Sequence, residues 1–360
     1  MKPLRLVAAN DTFAALNLMI DVLADKCAVF ITAPETNGVM PELQGLPDQV
    51  EDGAALIVES SGSTGVPKRI ELSKKALLAS ANASAERLGG HGQWLLALPI
   101  NFVAGSNILI RSIIAETQPV MMNTRVPFTS EAFILHAGQL NHERRYSSLV
   151  PVQLSKLLTH AKLDEYALRT LRGFSALLVG GQAPNLKEVA EFKELGVNVV
   201  VSYGMAETAG GCVYDQLPLQ GVEISIEKGL IAVAGDMLAN NLGDKFLTSD
   251  LGSFEAGRLE VLGRADRVII SGGLKVSLDS IEQRLLAEPG VTEISAEPLN
   301  TLWGQSVGIV YVGFKELDLS FLETEFSKAA KPSKVVRLES LPRLISGKPD
   351  HLAIQSLLAN

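Results

Sequence analysis

Short apolar runs typical of buried strands alternate with helical stretches from residue 54 to residue 207. The predicted strands are Ala54–Val58, Trp94–Leu98, Pro119–Met122, Tyr146–Val150, Ala176–Val179 and Val197–Val201. The predicted helices are Lys74–Leu88, Val103–Ala115, Ser130–Leu140, Pro151–His160 and Asn185–Leu195. Strands that alternate with helices form a parallel sheet with helices on its faces. The sequence therefore predicts an α/β fold for this part of the chain.

The segments on either side of this alternation have other patterns. Residues 1–52 predict a small α/β lead-in with a helix at Thr12–Ala24 and a strand at Cys27–Ile31. Four short β-type runs between residues 221 and 262 indicate a small, mostly antiparallel β unit. The rest of the chain predicts a compact α+β unit, whose elements are a helix at Leu278–Ala287, a strand at Val307–Val312 and a helix at Leu319–Ala330. A length of 360 residues is enough for two domains.

Charge and cysteine content exclude several classes of protein. The net charge of −8 argues against a nucleic-acid-binding surface, and we expect no nucleic-acid partner. Two cysteines, Cys27 and Cys212, cannot build a disulfide framework or a cysteine metal site, so a cytoplasmic setting is expected. The uncharged stretch 92–110 is interrupted by Pro99 and two asparagines, which favours a buried strand and a core helix over a membrane span. We expect no membrane partner.

A hydroxyl-rich glycine loop follows the first predicted strand of the alternation. It consists of Ser60, Ser61, Gly62, Ser63, Thr64, Gly65, Val66, Pro67 and Lys68. Backbone N–H groups made accessible by glycine, hydroxyls and one ammonium form a site for phosphate oxygens, and we expect the order strand, loop, helix around it. The P-loop NTPase pattern is absent, because valine and proline follow Gly65. The alternative is an ordinary Ser/Gly surface turn.

This loop resembles the phosphate loop of the adenylate-forming superfamily, which includes the acyl- and aryl-CoA synthetases. Four further segments resemble motifs of that superfamily and occur in its order. They are Tyr203-Gly204-Met205-Ala206-Glu207, Thr248-Ser249-Asp250, Gly263-Arg264-Ala265-Asp266 with Gly272-Gly273, and Gly347-Lys348. Taken alone, these segments would be a loop glutamate, an Asx-type turn, a hairpin with a Gly-Gly turn and a surface lysine.

The resemblance implies a role for each matching residue. Glu207 would bind Mg²⁺, and Lys348 would reach the α-phosphate and the carboxylate during adenylation. The implied nucleotide-binding residues, besides the phosphate loop, are Gly181, Gln182, Tyr203, Asp250 and Arg264. Asp266 would be the hinge of a mobile C-terminal domain, and Gly272 and Gly273 would line a tunnel for CoA. The implied domains are an adenylation domain at 1–263, a hinge at 264–267 and a small mobile domain at 268–360.

Two features make the chain similar to the short actinobacterial o-succinylbenzoate–CoA ligases of menaquinone synthesis. The phosphate loop begins at residue 60, where most members of the superfamily have a much longer leader. Arg111 falls on one helix face with Ala104 and Asn107, and the resemblance implies that this arginine binds the succinyl carboxylate of the substrate. The alternative is an ion pair with an acidic neighbour such as Glu116. The implied acyl-binding residues are Phe102, Asn107, Arg111, Gly180, Ser202 and Gly204.

Three residues depart from the pattern of the superfamily. Phe102 stands where many relatives have histidine, Ala104 where they have serine, and Ala206 where threonine is usual. The resemblance implies an ATP-dependent acid–CoA ligase that uses Mg²⁺, ATP, CoA and a small carboxylic acid, and that can form a homo-oligomer. The acid is expected to be o-succinylbenzoate. The alternatives are another aryl- or acyl-CoA synthetase, an adenylating enzyme that loads a carrier protein, and a non-catalytic homologue that binds a nucleotide or acyl-AMP.

Overall fold

The chain divides into two compact units. The computed structural model describes residues 1–36, 39–41, 45–60, 68–301, 304–344 and 347–359, without the Ser60 side chain. The first unit comprises Met1–Pro184, Glu188–Ile224 and Ala232–Phe246, and the second comprises Asn185–Lys187, Ser225–Ile231 and Leu247–Asn360. This division does not test the predicted hinge at 264–267, which stays a prediction.

A five-stranded sheet opens the first unit. Its strands are β1 (Lys2–Ala8), β2 (Ala28–Thr32), β3 (Gln49–Val50), β4 (Leu56–Ser60) and β5 (Lys68–Leu72), in the order β3-β1-β2-β4-β5. Strands β1, β2 and β4 are parallel, and the two edge strands run antiparallel to them. Helix α1 (Thr12–Leu23) begins after Asp11, whose side chain accepts a hydrogen bond from the Ala14 N–H.

A seven-stranded sheet forms the centre of the first unit. Its strands are β6 (Gln93–Leu96), β7 (Val120–Met121), β8 (Arg145–Leu149), β9 (Ala176–Gly180), β10 (Val199–Met205), β11 (Gly210–Tyr214) and β12 (Leu217–Pro218). The order is β12-β11-β10-β9-β8-β6-β7, and the pairs from β10 to β7 are all parallel. The predicted parallel α/β architecture is therefore confirmed.

Helices precede this sheet and connect its strands from β6 to β10. Helix α2 (Lys74–Arg87) precedes β6, and the connecting helices are α3 (Val103–Ile114), α4 (Ser130–Ala137), α5 (Pro151–Ala161), α6 (Glu165–Arg172) and α7 (Leu186–Glu194). The hydrophobic core between helices and sheet includes Leu95, Phe133, Leu157 and Leu177, each with no exposed surface. Within the described residues, no helix combines the length and the hydropathy that a membrane span requires. The stretch 92–110 forms a buried strand and a core helix, as predicted.

Four further strands form a sheet in chain order. They are β13 (Val222–Glu227), β14 (Leu230–Gly235), β15 (Lys245–Glu255) and β16 (Arg258–Arg264). The division between the two units runs through the first three of these strands. Strands β15 and β16 are antiparallel, and their register sets Asp250 opposite Arg264.

The rest of the second unit combines two small sheets with three helices. The elements are the hairpin β17 (Val268–Ser271) and β18 (Leu274–Ser277), the sheet β19 (Val291–Thr301), β20 (Gly304–Gly313) and β21 (Pro332–Leu338), and the helices α8 (Leu278–Leu286), α9 (Leu322–Glu325) and α10 (His351–Ala359). Ile281, Leu285 and Ile309 have no exposed surface and lie in its core. This is the α+β unit that the sequence predicts.

Two predicted elements are wrong. Residues 319–330 do not form one helix, because Ser327 adopts extended backbone and separates the short α9 from a 3-10 turn at Lys328–Ala330. The phosphate loop is not followed directly by a helix, because Lys68–Leu72 forms a strand that pairs antiparallel with β4. Ile70 and Leu72 are buried and alternate with polar residues, a period of two that is typical of a half-buried strand. The sequence analysis also missed several elements, including β1, α6, β11, β19 and β21.

Candidate functional site

The predicted phosphate loop joins two neighbouring antiparallel strands, β4 and β5. Residues 61–67 lie outside the described residues, and with them the predicted phosphate contacts of Ser61, Gly62, Ser63, Thr64 and Gly65. The residues at its two ends, Ser60 and Lys68, are paired across β4 and β5. Lys68 is exposed at the first position of its strand. The pairing holds both ends of the loop at one edge of the sheet.

The predicted magnesium ligand Glu207 lies in a tightly held turn. Strand β10 ends at Met205, a single 3-10 turn spans Ala206–Thr208, and Ala209 adopts a left-handed conformation with φ 48. The Thr208 hydroxyl lies 3.0 Å from the Met205 N–H and 2.6 Å from the Gly210 carbonyl oxygen. The Ala239 N–H donates a 2.8 Å hydrogen bond to the Glu207 carbonyl. These bonds fix the turn and leave a half-buried carboxylate at the carboxyl end of a central strand.

Two buried side chains support this turn from α2 and α3. The Ser80 hydroxyl and the Asn107 amide donate hydrogen bonds of 2.9 and 2.8 Å to the Ala209 carbonyl oxygen. Gly210 follows with φ +104, and a Cβ there would collide with the Asn107 amide nitrogen. Asn107, predicted as an acyl-binding residue, therefore positions the backbone beside Glu207 with its amide nitrogen.

Three predicted acyl-binding residues come together at the carboxyl ends of β9 and β10. Gly180 pairs with Ser202 across these parallel strands, and a Cβ on Gly180 would lie 2.6 Å from the Ser202 carbonyl oxygen. Gly204 follows at a bulge in the pairing of β10 with β11. Gly181 and Gln182 continue directly from β9. Ligands of α/β sheets bind at such ends.

Arg111 is buried on α3 with 6% of its surface exposed. Its Nη2 donates a 3.2 Å hydrogen bond to the Tyr214 hydroxyl, and its Cζ lies 4.8 Å from the centroid of the Trp94 ring. Among the described residues, no carboxylate lies within ion-pairing distance of it, and its Nε has no hydrogen-bond partner. The alternative partner Glu116 is exposed beyond the helix end. The guanidinium is thus buried, charged and short of an anion.

The predicted ribose ligands and the predicted hinge residue lie together in the second unit. Arg264 donates through Nε and Nη2 to both carboxylate oxygens of Asp266, at 2.8 and 2.6 Å. Its Nη1 lies 3.6 Å from Asp250 Oδ1. This pairing raises the pKa of Arg264, and the same hydrogen bonds lower the pKa of Asp266. The structure therefore brings all three predicted residues into one cluster.

A partly buried charge cluster adjoins Asp266 and was not predicted from the sequence. Arg267 forms ion pairs with Asp279 and with Glu282, the latter at 2.5 Å, and donates a 3.0 Å hydrogen bond to the Ala296 carbonyl. Burial would lower the pKa of Arg267, but Glu282 and Asp279 raise it above its usual value. Asp279 also accepts a 2.6 Å hydrogen bond from the Arg264 N–H. One carboxylate therefore holds both ends of the short turn that contains Asp266.

We expect the second unit to lose stability as the pH rises from about 5 to about 8. Burial raises the pKa of Glu282 to about 7, although Arg267 and the Ala296 N–H favour its charged form. The unfolded pKa is about 4.5, so the folded state binds more protons between these two values. The stabilisation that Glu282 contributes is complete below its unfolded pKa of about 4.5. It is lost as the pH rises through its folded pKa of about 7. Hydrogen exchange of β20 amides, corrected for intrinsic rates, measures it. Glu282→Gln should flatten this dependence, and an unchanged slope would contradict the assignment.

The loop that carries Lys348 is closed by hydrogen bonds. The Leu344 N–H donates to the Lys348 carbonyl at 2.9 Å, and Arg343 Nη1 donates to the Gly347 carbonyl at 2.6 Å. Residues 345 and 346 lie outside the described residues. The Lys348 side chain is half-buried, and substituting it would leave the loop-closing backbone bond in place.

Gly272 and Gly273 form the turn of the β17–β18 hairpin. Both have positive φ, +55 and +82, and a Cβ on either would meet nothing within 4 Å. Glycine is suited to this turn, which lies at an open surface. The structure thus shows the hairpin with a Gly-Gly turn that was the alternative for this segment. A role of these glycines in a CoA tunnel stays a prediction.

The described residues contain no cluster of three or more His, Cys, Asp or Glu side chains that could enclose a metal ion. A Mg²⁺ ion bound with a nucleotide needs only one or two carboxylates, because phosphate oxygens and water supply its other ligands. The single carboxylate of Glu207 fits that requirement.

Comparison with known proteins identifies relatives along the whole chain. The AMP-binding enzyme family matches residues 9–230. A probable 2-succinylbenzoate–CoA ligase from Mycobacterium tuberculosis (strain H37Rv) is 34% identical over 377 residues, which cover 98% of this chain and 97% of the relative. The structure of o-succinylbenzoate coenzyme A synthetase from Bacillus subtilis with ATP and magnesium ion is similar, with a TM-score of 0.72, 23% identity and coverage of 98% and 83%.

The fold is shared with an enzyme of different chemistry. An amide bond synthetase from Marinactinospora thermotolerans gives a TM-score of 0.80 at 18% identity, with coverage of 99% of this chain and 90% of that one. Similarity at this level of identity concerns the fold, so the acid and the acceptor have to be argued from the site itself.

Proposed function

The chain belongs to the AMP-binding enzyme family, and from this premise we propose that it is an ATP-dependent o-succinylbenzoate–CoA ligase. The name of the mycobacterial relative, which this chain matches over nearly its whole length, supports the substrate. The observation that carries the proposal is the buried Arg111, whose described surroundings contain no carboxylate partner.

A buried guanidinium without an anion is costly, because its charge has lost water without gaining a counter-ion. A substrate carboxylate would supply that counter-ion and fits the planar guanidinium through two hydrogen bonds. o-Succinylbenzoate carries two carboxylates, of which only one becomes the adenylate. In this proposal, Arg111 binds the other carboxylate and selects dicarboxylic acids.

The first half-reaction forms the acyl-adenylate. A substrate carboxylate oxygen attacks the α-phosphorus of ATP, and the bond to the pyrophosphate oxygen breaks. Lys348 would stabilise the negative charge that develops on the α-phosphate oxygens, and residues 60–68 would hold the phosphates. Asp250 and Arg264 would bind the ribose hydroxyls. Glu207 would hold Mg²⁺ together with phosphate oxygens, and the ion would neutralise part of the phosphate charge.

The second half-reaction transfers the acyl group to CoA. The CoA thiolate attacks the acyl carbonyl, and AMP leaves with the oxygen of the former carboxylate. The proposed movement turns the C-terminal domain about Asp266, so that Gly272 and Gly273 line the path of the thiol. The contacts of Asp266 with Arg264 would be exchanged in that movement.

A cytoplasmic setting without nucleic-acid or membrane partners completes the proposal, and a homo-oligomer is compatible with it. Both cysteines are buried, and they form no disulfide, which suits a reducing compartment. The acidic net charge of −8 disfavours binding to nucleic acid.

Pyrophosphate release with MgATP tests the proposal across a panel of carboxylic acids, with and without CoA. We expect release with o-succinylbenzoate and CoA-dependent formation of AMP. Release with another acid alone would support the proposed mechanism and contradict the proposed substrate. AMP formation that requires a carrier protein in place of CoA would support a carrier-loading enzyme. ATP binding without release of pyrophosphate for any acid would support a non-catalytic homologue.

Replacing Arg111 with alanine should raise KM for o-succinylbenzoate by about thirtyfold or more, because truncating one partner of a buried charge pair costs about 2–5 kcal/mol. Two monocarboxylic analogues serve as references, a 2-acylbenzoate and 4-oxo-4-phenylbutanoate, and whichever is turned over should keep its KM. Steady-state pyrophosphate release measures both values. The control is Arg169→Ala, which removes an exposed arginine from α6. An unchanged ratio of the KM for o-succinylbenzoate to the KM for the monocarboxylic acid would contradict the assignment of Arg111 to the acyl site.

A further inference from the structure

Two strands, β6 and β11, contribute side chains that contact the guanidinium of Arg111, and α2 supports one of these contacts. Tyr214, the last residue of β11, accepts a 3.2 Å hydrogen bond from Arg111 Nη2 and lies 2.8 Å from the Ser84 hydroxyl oxygen. Ser84 lies on α2 and has no exposed surface, and Tyr214 is 1% exposed. Because a guanidinium only donates, the tyrosine oxygen accepts from Arg111 and its own proton can go to Ser84.

The tyrosine is held at its backbone as well as at its hydroxyl. Arg87, also on α2, donates hydrogen bonds to the carbonyls of Tyr214 at 3.2 Å and Pro218 at 2.7 Å. Gly211 provides space for the ring, since a Cβ there would lie 2.7 Å from Tyr214 Cε1. The packing of β11 against α2 therefore restrains the position of the hydroxyl.

The Trp94 ring restricts the guanidinium from another direction. It is 3% exposed on β6, and its centroid lies 4.8 Å from Arg111 Cζ, within cation–π distance. With Nη2 bonded to Tyr214 and the guanidinium against this ring, Nε stays without an acceptor among the described residues. The remaining donors of Arg111 are thus oriented before an anion arrives.

We propose that Tyr214, supported by Ser84, is a positioning residue that fixes Arg111 for the second carboxylate of the acid and so determines the preference for dicarboxylic substrates. This inference rests on the proposed role of Arg111. A free arginine side chain has large rotamer entropy, which it loses when an anion binds. Holding it in the binding geometry beforehand avoids that loss and strengthens binding.

Tyr214→Phe tests the inference, because it removes the hydroxyl and keeps the buried ring. We expect KM for o-succinylbenzoate to rise about tenfold, the effect of losing one hydrogen bond to a charged group, with kcat within about twofold of wild type. KM for the monocarboxylic reference acid should not change. Ser84→Ala should act in the same direction and less strongly. The double variant should be no worse than Tyr214→Phe, because Ser84 acts through the tyrosine hydroxyl.

The matched control is Tyr146→Phe. Tyr146 is also 1% exposed, its hydroxyl donates to the Leu88 and Gly90 carbonyls, and its ring lies 4.9 Å from that of Trp94. Loss of the Tyr146 hydroxyl should lower thermal stability and leave the ratio of the two KM values unchanged. An equal change of the ratio in Tyr146→Phe would mean that general loosening is responsible, and would overturn the inference.

The Arg111→Ala variant separates failure of this inference from failure of the proposed function. If Arg111→Ala abolishes the dicarboxylic preference and Tyr214→Phe does not alter it, only the role of Tyr214 is wrong. If Arg111→Ala leaves the preference intact, the arginine role itself is wrong. In the Arg111→Ala background, Tyr214→Phe should have no further effect on the ratio.

Discussion

Replacing Lys348 with alanine should slow the release of pyrophosphate by about 10²- to 10³-fold, the range seen when a group that stabilises developing charge is removed. The reason is that the ammonium would act on the α-phosphate, where charge builds only during adenylation. Thioester formation from supplied o-succinylbenzoyl-AMP and CoA should fall far less. Measuring the two half-reactions separately gives the comparison.

A lysine elsewhere in the second unit serves as the control for this prediction. Lys315 is exposed, and Lys315→Ala should leave both half-reactions at wild-type rates. The closure of the Lys348 loop uses the backbone of that residue, so the alanine variant should retain its local fold. Equal losses in the two half-reactions would contradict the role assigned to Lys348.

Replacing Arg267 with alanine should destabilise the second unit by about 3 kcal/mol, since it leaves the carboxylates of Asp279 and Glu282 without their cation. The loss should be smaller at low pH, because Glu282 then takes up a proton and its uncompensated charge disappears. Hydrogen exchange of amides in β20, measured at two pH values, checks both the size and the direction of the effect.

The matched control is Arg284→Ala in the same unit. Arg284 pairs with Glu288 and Glu325 and lies 4.0 Å from the centroid of the Phe321 ring, but these pairs are more exposed. Exposed pairs contribute little, so we expect a loss of about 1 kcal/mol. A loss in Arg267→Ala no greater than that in Arg284→Ala would mean that the charge cluster around Arg267 does not stabilise the unit.

Hydrophobic periodicity was sufficient to predict the strands from β6 to β10 and the helices between them, except α6. Strand β9 and helices α2 and α3 lie within two residues of their predicted bounds. Periodicity depends on residues one to four positions apart, so it can be detected without knowing which elements pack against the segment. It failed at 319–330, where a helical pattern of apolar residues is interrupted by the extended backbone of Ser327. Here tertiary packing overrides local preference.

The order of the motifs identified the candidate residues one by one, because each motif is local in the chain. It did not indicate that Asn107 holds the Ala209 carbonyl, or that Asp266 accepts hydrogen bonds from Nε and Nη2 of Arg264. It also did not point to Arg267, whose partners Asp279 and Glu282 lie on the helix that follows the hairpin.

By itself, the sequence determined the parallel α/β architecture and the family motifs, and it predicted Arg111 as a carboxylate ligand. Only the tertiary structure decided what surrounds that arginine, because Tyr214 lies 103 residues away from it in the chain. A contact over that separation depends on the order of β6 and β11 in the sheet and on the helices packed against them, and no short pattern of residues encodes that order.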